Sequence, residues 1–308
     1  MRRLCVSVLA VFALTCCASA ARWERDESGR NVAVPDHVHR LVCLSPNLTD
    51  TVYALGAAAD LVGITDFTDF PPQAAHEKAS VGALVDPSLE RIVSLHPDLV
   101  LALPAFNGAE TIDALQRLGI PVFRFDSGNV ASIYRTVADV GRLLGREHEA
   151  TRLIAELKAR ESKVREQSVG HESPSVLLVL SIDPFITAGK NAFITEMIAI
   201  AGARSVTQDL PQDWLQMNVE AILPRNPDYI LLMNGGPVTL KDLQQHPGWN
   251  WLEAVRRGRV MTLDARIQVP APVAFDGLEV LASQIRAAQA RSVARTTQTQ
   301  AQDARKAR

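Results

Sequence analysis

The chain has 308 residues, 47% hydrophobic and 21% charged, the profile of a globular protein with one large or two medium domains. Its 32 Lys and Arg face 34 Asp and Glu; without Arg2 and Arg3 near the N-terminus the balance is 30 − 34 = −4, which argues against a nucleic-acid surface. Three of the four cysteines (Cys5, Cys16, Cys17) lie within residues 1–20, so Cys43 is left alone and an internal disulfide is excluded.

Taken in chain order, Arg2 and Arg3 precede an apolar run from Leu4 to Leu14, and Ala18-Ser19-Ala20 supplies a small-residue cleavage pattern. The run is shorter than the about 20 residues that span a bilayer. Residues 1–20 therefore read as a removed secretion signal, with the mature chain starting near Ala21. Leu14-Thr15-Cys16-Cys17 loosely matches a lipobox, so a lipid-anchored N-terminus is the second reading.

Trp23 to Asp26 and Asn31 to Val34 flank Ser28-Gly29, which predicts a small hairpin. Arg40 to Leu44 reads as a strand, Thr49 to Leu55 as a helix stopped by Gly56, and Asp60 to Ile64 as a strand. Cys43 lies inside the first of these apolar runs, so a buried, inert thiol outweighs a nucleophile. A helix over Glu110–Leu118 and a strand over Ile120–Phe125 follow. Val130, Ile133, Val137, Val140 and Leu144 recur at helical spacing up to Gly145. A second helix runs from Glu147 to Gln167, with Ala150, Leu153, Ile154, Leu157 and Val164 on one face. After Gly170 and Pro174 the alternation resumes: strand Ser175–Leu180, helix Ala192–Ala201, strand Arg259–Leu263 and a final helix over Phe275–Ala290.

One unit occurs twice. Ser88 to Ala102 and Asn218 to Leu232 align without a gap, each with a capping residue, a glutamate, an apolar helical face, Pro-Asp and an apolar strand. A unit built twice suggests two similar lobes with a cleft between them. The expected fold is α/β: two lobes with mainly parallel sheets, joined by a long rigid helix. The expected divisions are 1–20 (signal), 21–145 (first lobe), 146–170 (connecting helix), 171–290 (second lobe) and 291–308 (a disordered basic tail).

The chain contains no G-x-S-x-G elbow, H-E-x-x-H, phosphate loop or paired C-x-x-C, so no enzyme motif is legible. His37 and His39 flank Val38 without a third ligand, and no metal cage is expected; a bare transition-metal binding module and an exported enzyme of unknown type remain the rival classes. Ligands in open α/β sheets bind at loops that follow strands. The candidates are Ser45, Pro46 and Asn47, Phe67, Leu84 and Phe106 in the first lobe. In the second they are Asp183, Phe185, Trp214, Gln216, Gly235 and Arg266. Their aromatics suit a bulky ligand with apolar rims, although core packing explains any single one equally well. Glu90 and Glu220 each follow a helix cap by two residues, where the helix dipole alone favours a carboxylate; a pair of docking knobs is the alternative.

The ordered set Leu44-Ser45-Pro46-Asn47-Leu48-Thr49-Asp50, Leu55-Gly56, Asp69-Phe70-Pro71-Pro72, Pro87-Ser88-Leu89-Glu90, Pro97-Asp98-Leu99-Val100 and Leu118-Gly119-Ile120-Pro121-Val122 resembles the periplasmic solute-binding proteins of ABC importers for cobalamin, ferric siderophores and heme. The resemblance covers about Trp23 to Ala288. It implies a helical-backbone protein, not an enzyme, working as a monomer without a cofactor of its own and carrying a metal-chelate ligand in the periplasm. It also implies that Glu90 and Glu220 meet the permease dimer, which reverses the preference drawn from spacing. Phe67, Trp214 and the Gly235-Gly236-Pro237 loop resemble cobalamin binders, whereas Leu84 and Leu103 stand where the best-known member carries tryptophan. The hairpin near Gly29 is more typical of the siderophore branch. Heme ranks last, because Tyr53, Tyr134 and Tyr229 fall on predicted helices or strands.

Overall fold

The computed structural model describes residues 21–126 and 128–306, with side chains described through residue 291. The expected export signal, residues 1–20, lies outside the described residues. Strand β1 (Ala21–Arg25) pairs antiparallel with β2 (Asn31–Pro35), Ala21 opposite Pro35, as the Ser28-Gly29 turn predicts. Gly29 sits at φ 83°, a conformation that suits glycine.

Five parallel strands then build the first sheet: β3 (Leu41–Cys43), β4 (Leu61–Ile64), β5 (Ala79–Ser80), β6 (Leu99–Ala102) and β7 (Val122–Arg124), in the order β5-β4-β3-β6-β7. They are connected by α1 (Pro46–Ala54), α2 (Ala74–Glu77), α3 (Leu89–Ser94), α4 (Pro104–Asn107) and α5 (Ala109–Arg117). Residues of β3, β6 and β7 are all buried, and successive side chains point to opposite faces. Leu41, Cys43, Leu99, Leu101 and Phe123 enter one apolar cluster, while Val42, Leu44, Val100, Ala102 and Val122 enter another. That period of two, apolar on both sides, is what a sheet covered by helices on both faces requires. Helix α1 starts at Pro46, earlier than the predicted Thr49, because proline is preorganised for the first helical position.

Helices α6 (Val130–Leu143) and α7 (Glu147–Ser168) follow the predicted periodicity closely. The 22 residues of α7 extend for about 33 Å at 1.5 Å per residue. Ala150, Leu157 and Val164 form its buried stripe.

The second lobe contains β8 (Ser175–Val179), β9 (Ser181–Ile182), β10 (Phe185–Ala188), α8 (Phe193–Ile200), β11 (Arg204–Ser205), β12 (Trp214–Met217), β13 (Tyr229–Met233), α9 (Leu240–Gln245), α10 (Glu253–Arg256), β14 (Val260–Leu263) and α11 (Ala274–Lys306). Its main sheet is parallel, in the order β11-β8-β13-β14. A three-stranded antiparallel sheet, order β12-β10-β9, stands beside it. In the sequence, residues 183–185 and 213–216 have the character of loops. The pairing of β10 with β12, such as Phe185 with Met217, joins residues far apart in the chain, whereas β9 and β10 form a tight hairpin through Asp183 and Pro184. Helix α11 continues to Lys306, through most of the segment expected to be disordered; its Ala, Gln and Arg residues are good helix formers.

The duplicated unit is present in both lobes with one difference. The first copy is the α-helix α3, whereas the second is two 3-10 turns, Val219–Ala221 and Leu223–Arg225. Pro224 stands where Ser94 stands in the first copy, and its missing N–H breaks the helical ladder. The rest of the unit matches closely. His96 and Asn226 occupy equivalent positions, and both adopt positive φ, 46° and 33°. Asp98 accepts hydrogen bonds from the His39 and Arg40 amides, and Asp228 accepts from the Ser175 amide and hydroxyl. In each lobe this aspartate pins the start of the neighbouring strand, β3 or β8.

One apolar cluster continues from the first sheet through α6 and α7 into α8, the second sheet and α11, including Phe123, Val137, Leu157, Leu178 and Phe275. Polar contacts cross between the lobes as well. The Asp50 carboxylate accepts from the Val273 amide (3.0 Å), and Glu196 accepts from the Val130 amide (2.8 Å). Arg160 of α7 pairs with Asp276 and Glu279 of α11.

Candidate functional site

The first sheet is parallel, so the loops after β3, β4, β5 and β6 all leave from one edge. That edge carries Phe67, Leu84 and Phe106. Phe67 is 84% exposed and Phe106 is 47% exposed, unusual for phenylalanine. Phe67 also holds φ at 60°, a left-handed conformation that bulky residues rarely adopt. Its neighbours brace it: the Asp66 amide donates to Gly82 O (2.8 Å), and the Thr68 hydroxyl donates to Thr65 O (2.8 Å). The aromatic ring is thus presented to solvent from a tied turn. Leu84 is half-buried beside it in the chain of loops.

Ser45 and Asn47 do not line this edge as expected. Both are buried, and the Ser45 hydroxyl donates to Asn47 Oδ1 (2.5 Å), because the early start of α1 draws them into the fold. The Asn47 amide nitrogen has no protein partner. Pro46 is half-buried.

In the second lobe Trp214 is 51% exposed on β12, an outer strand of the antiparallel sheet. Gln216, two residues on, is exposed on the same strand face. Phe185 behaves differently from Phe67: it is 4% exposed and meets Trp249 edge-on at 4.8 Å, so it belongs to the core. Its place on the central strand β10 turns it inward. Asp183 and Gln216 border a groove of about 320 Å³ that also includes Glu220, His246 and Trp249. Three expected ligand contacts, Asp183, Phe185 and Gln216, therefore adjoin an expected docking residue. Arg266 is no free cation, since Asp264 (2.6 Å) and Asp276 (2.9 Å) both hold it, and those hydrogen bonds push its pKa up. It opens onto a separate groove of about 520 Å³ along α11. Gly235 is exposed at φ 67°.

Glu90 lies in the first turn of α3, which Ser88 caps by accepting from the Arg91 amide. It and Glu220 are both exposed, one on each copy of the duplicated unit. Cys43 is fully buried, and burial pushes its thiol pKa far up, which leaves no nucleophile there. Among the described residues no three His, Cys, Asp or Glu side chains converge as metal ligands, and no helix is long and apolar enough to cross a membrane. In the sequence Asn107 stands out only as part of the loop Pro104-Ala105-Phe106-Asn107. The structure makes it the hub of the first-lobe edge; its position just before Gly108, where a short helix ends, was the available clue.

Comparison with known proteins agrees with this architecture. The family pattern described as periplasmic binding protein matches residues 41–267. The uncharacterised ABC transporter substrate-binding lipoprotein YvrC of Bacillus subtilis (strain 168) is 31% identical over 268 residues, covering 84% of each chain. A vitamin B12-binding protein of Photorhabdus laumondii is 26% identical, over 73% of this chain and 79% of its own. The solved apo structure of the heme-binding protein RhuT from Roseiflexus sp. RS-1 superposes with a TM-score of 0.72 at 25% identity, over 79% of this chain and 96% of that one. With two lobes built on one duplicated unit and a family pattern spanning both, the chain belongs to the periplasmic binding protein family, among the solute-binding components of ABC importers.

Proposed function

We propose that the chain captures a cobalamin-like corrinoid outside the inner membrane and delivers it to an ABC permease, with residues 1–20 serving as its export signal. Residues 21–145 and 171–290 act as the two gripping halves on either side of the 146–170 helix. The observation that carries this reading is Phe67, an aromatic held in the left-handed region yet 84% exposed. Such strain persists where a side chain is needed outside the core. Phe67, Leu84 and Phe106 offer an apolar face on one lobe, and Trp214 with Gln216 offers a flat ring and a hydrogen-bonding amide on the other. A large chelate with its metal already bound needs shape and stacking rather than protein ligands. Relatives named for vitamin B12 support the choice. Glu90 and Glu220, exposed on equivalent units, serve as the contacts to the permease.

A ferric siderophore is the second reading, favoured by the N-terminal hairpin. Heme is less well served: Tyr53 and Tyr134 hydrogen-bond to Glu77 and Glu161, and Tyr229 lies within β13.

The test is titration of the purified chain with cyanocobalamin, hemin and ferric siderophores, read by tryptophan fluorescence and calorimetry. Cyanocobalamin should bind saturably, and Trp214→Ala should weaken it about 10- to 100-fold, or roughly 1.4–2.8 kcal/mol. Saturable binding of a siderophore alone would replace the cargo; unchanged affinity in Trp214→Ala would remove that residue from the site.

A further inference from the structure

Asn107 is fully buried and uses every hydrogen-bonding group of its amide. Its Oδ1 accepts from the Leu103 amide at 2.6 Å, and its Nδ2 donates to Leu44 O at 2.7 Å and to Leu84 O at 2.8 Å. These three partners belong to three separate strand-end segments. Leu44 follows β3, Leu84 lies beyond β5, and Leu103 follows β6 and opens the turn that carries Phe106. The bonds to Leu44 and Leu84 span 63 and 23 residues of sequence, so they fix tertiary placement rather than a local turn.

We propose that Asn107 is the positioning residue of the first-lobe binding surface: it locks the Leu84 and Phe106 segments to each other and to the end of β3. The inference rests on the ligand-binding role assigned to that edge. Asn107 does not touch the ligand; it holds the groups that do. The side-chain chemistry is specific. One acceptor meets an amide and two N–H donors meet two carbonyls, a pattern that aspartate cannot reproduce because it would set a carboxylate oxygen against carbonyl oxygens. Gly108, at φ 66° and with open space around it, lets the chain turn from α4 straight into α5 and keeps Asn107 inside. A surface whose parts are fixed before the ligand arrives loses less freedom on binding and so releases the ligand more slowly.

The experiment pairs Asn107→Asp and Asn107→Ala with Phe106→Ala in the full mature chain. In the free protein, hydrogen exchange should rise over residues 83–86 and 103–107 while strands β8 and β13 keep their protection. Cyanocobalamin affinity should fall about tenfold or more, mainly through faster dissociation. In a double-mutant cycle the losses from Asn107→Asp and Phe106→Ala should be clearly less than multiplicative, which a general loss of stability would not produce. Independent losses in the cycle, or unchanged exchange in both segments, would overturn the proposal. Should Asn107→Ala not fold, Asn107→Asp retains the acceptor for Leu103 and carries the test. If the wild-type chain binds no cyanocobalamin, the cargo assignment fails separately; the exchange pattern still decides whether Asn107 ties the loops, and the cycle is run with whichever of hemin or ferric siderophore binds.

Discussion

Asp50 shows how one side chain can link lobe packing to pH. It is buried on α1, accepts from the Val273 amide at the start of α11, and its pKa is pushed up to about 6, first by burial and further by the nearby Asp276 charge. An unfolded aspartate titrates near ~3.9. Between those values the folded chain holds a proton that the unfolded chain has released, so stability falls as pH rises through this window and stays lower above it. Asp50→Asn keeps an acceptor for Val273 and cannot ionise. Urea unfolding at pH 4.5 and 7.5 should show that variant about 1–3 kcal/mol more stable than wild type at pH 7.5, with about a third of that difference at the lower pH. A less stable variant at pH 7.5 would mean that the ionised carboxylate is favoured in the fold. Residue identity in the sequence did not separate Phe67 from Phe185. Both are aromatic, and both follow an apolar strand and an aspartate; what differs is that Phe67 lies on a braced turn and Phe185 on the middle strand of a sheet.

At the scale of elements, α6 is capped from both lobes. Asn129 accepts from the Ser132 amide, Ser132 Oγ accepts from the Asn129 amide, and Glu196 of α8 accepts from the Val130 amide. A local box and a carboxylate at the positive end of the helix dipole work together here. Asn129→Ala should cost about 1 kcal/mol and Glu196→Gln about 0.3–1 kcal/mol, read from urea midpoints at constant m. Equal stability of both variants and wild type would show that the cap contributes nothing. Helix starts and stops of this kind were largely legible, because capping residues and glycine act within a few positions of where they stand. The second copy of the duplicated unit was legible as a unit but not as an α-helix. Pro224 was visible in the alignment, and its effect on the ladder explains the pair of 3-10 turns.

The whole molecule ties two similar sheets to one continuous apolar cluster, with α7 and α11 bound together by Arg160. Opening the lobes widely would expose that cluster, so the spacing between Glu90 and Glu220 is held by the fold itself. Under the proposed docking role, two acidic contacts held at a fixed spacing would gain from simultaneous engagement, and the loss of both would remove more than the loss of either. Glu90→Ala with Glu220→Ala should abolish import in a reconstituted transporter while leaving cyanocobalamin affinity unchanged by calorimetry. Normal uptake by the double variant would exclude the docking role.

Residue spacing alone reveals the alternation of strands and helices, the duplication, the long middle helix and the aromatic character of the strand-end loops. Each of these is written in residue spacing and in turn chemistry that acts locally. Long-range packing was needed to turn Phe185 inward against Trp249 and to join three loops at Asn107. Trp249 lies more than 60 residues from Phe185, as Leu44 does from Asn107, and neither the periodicity of a strand nor the cap of a helix carries information over that distance.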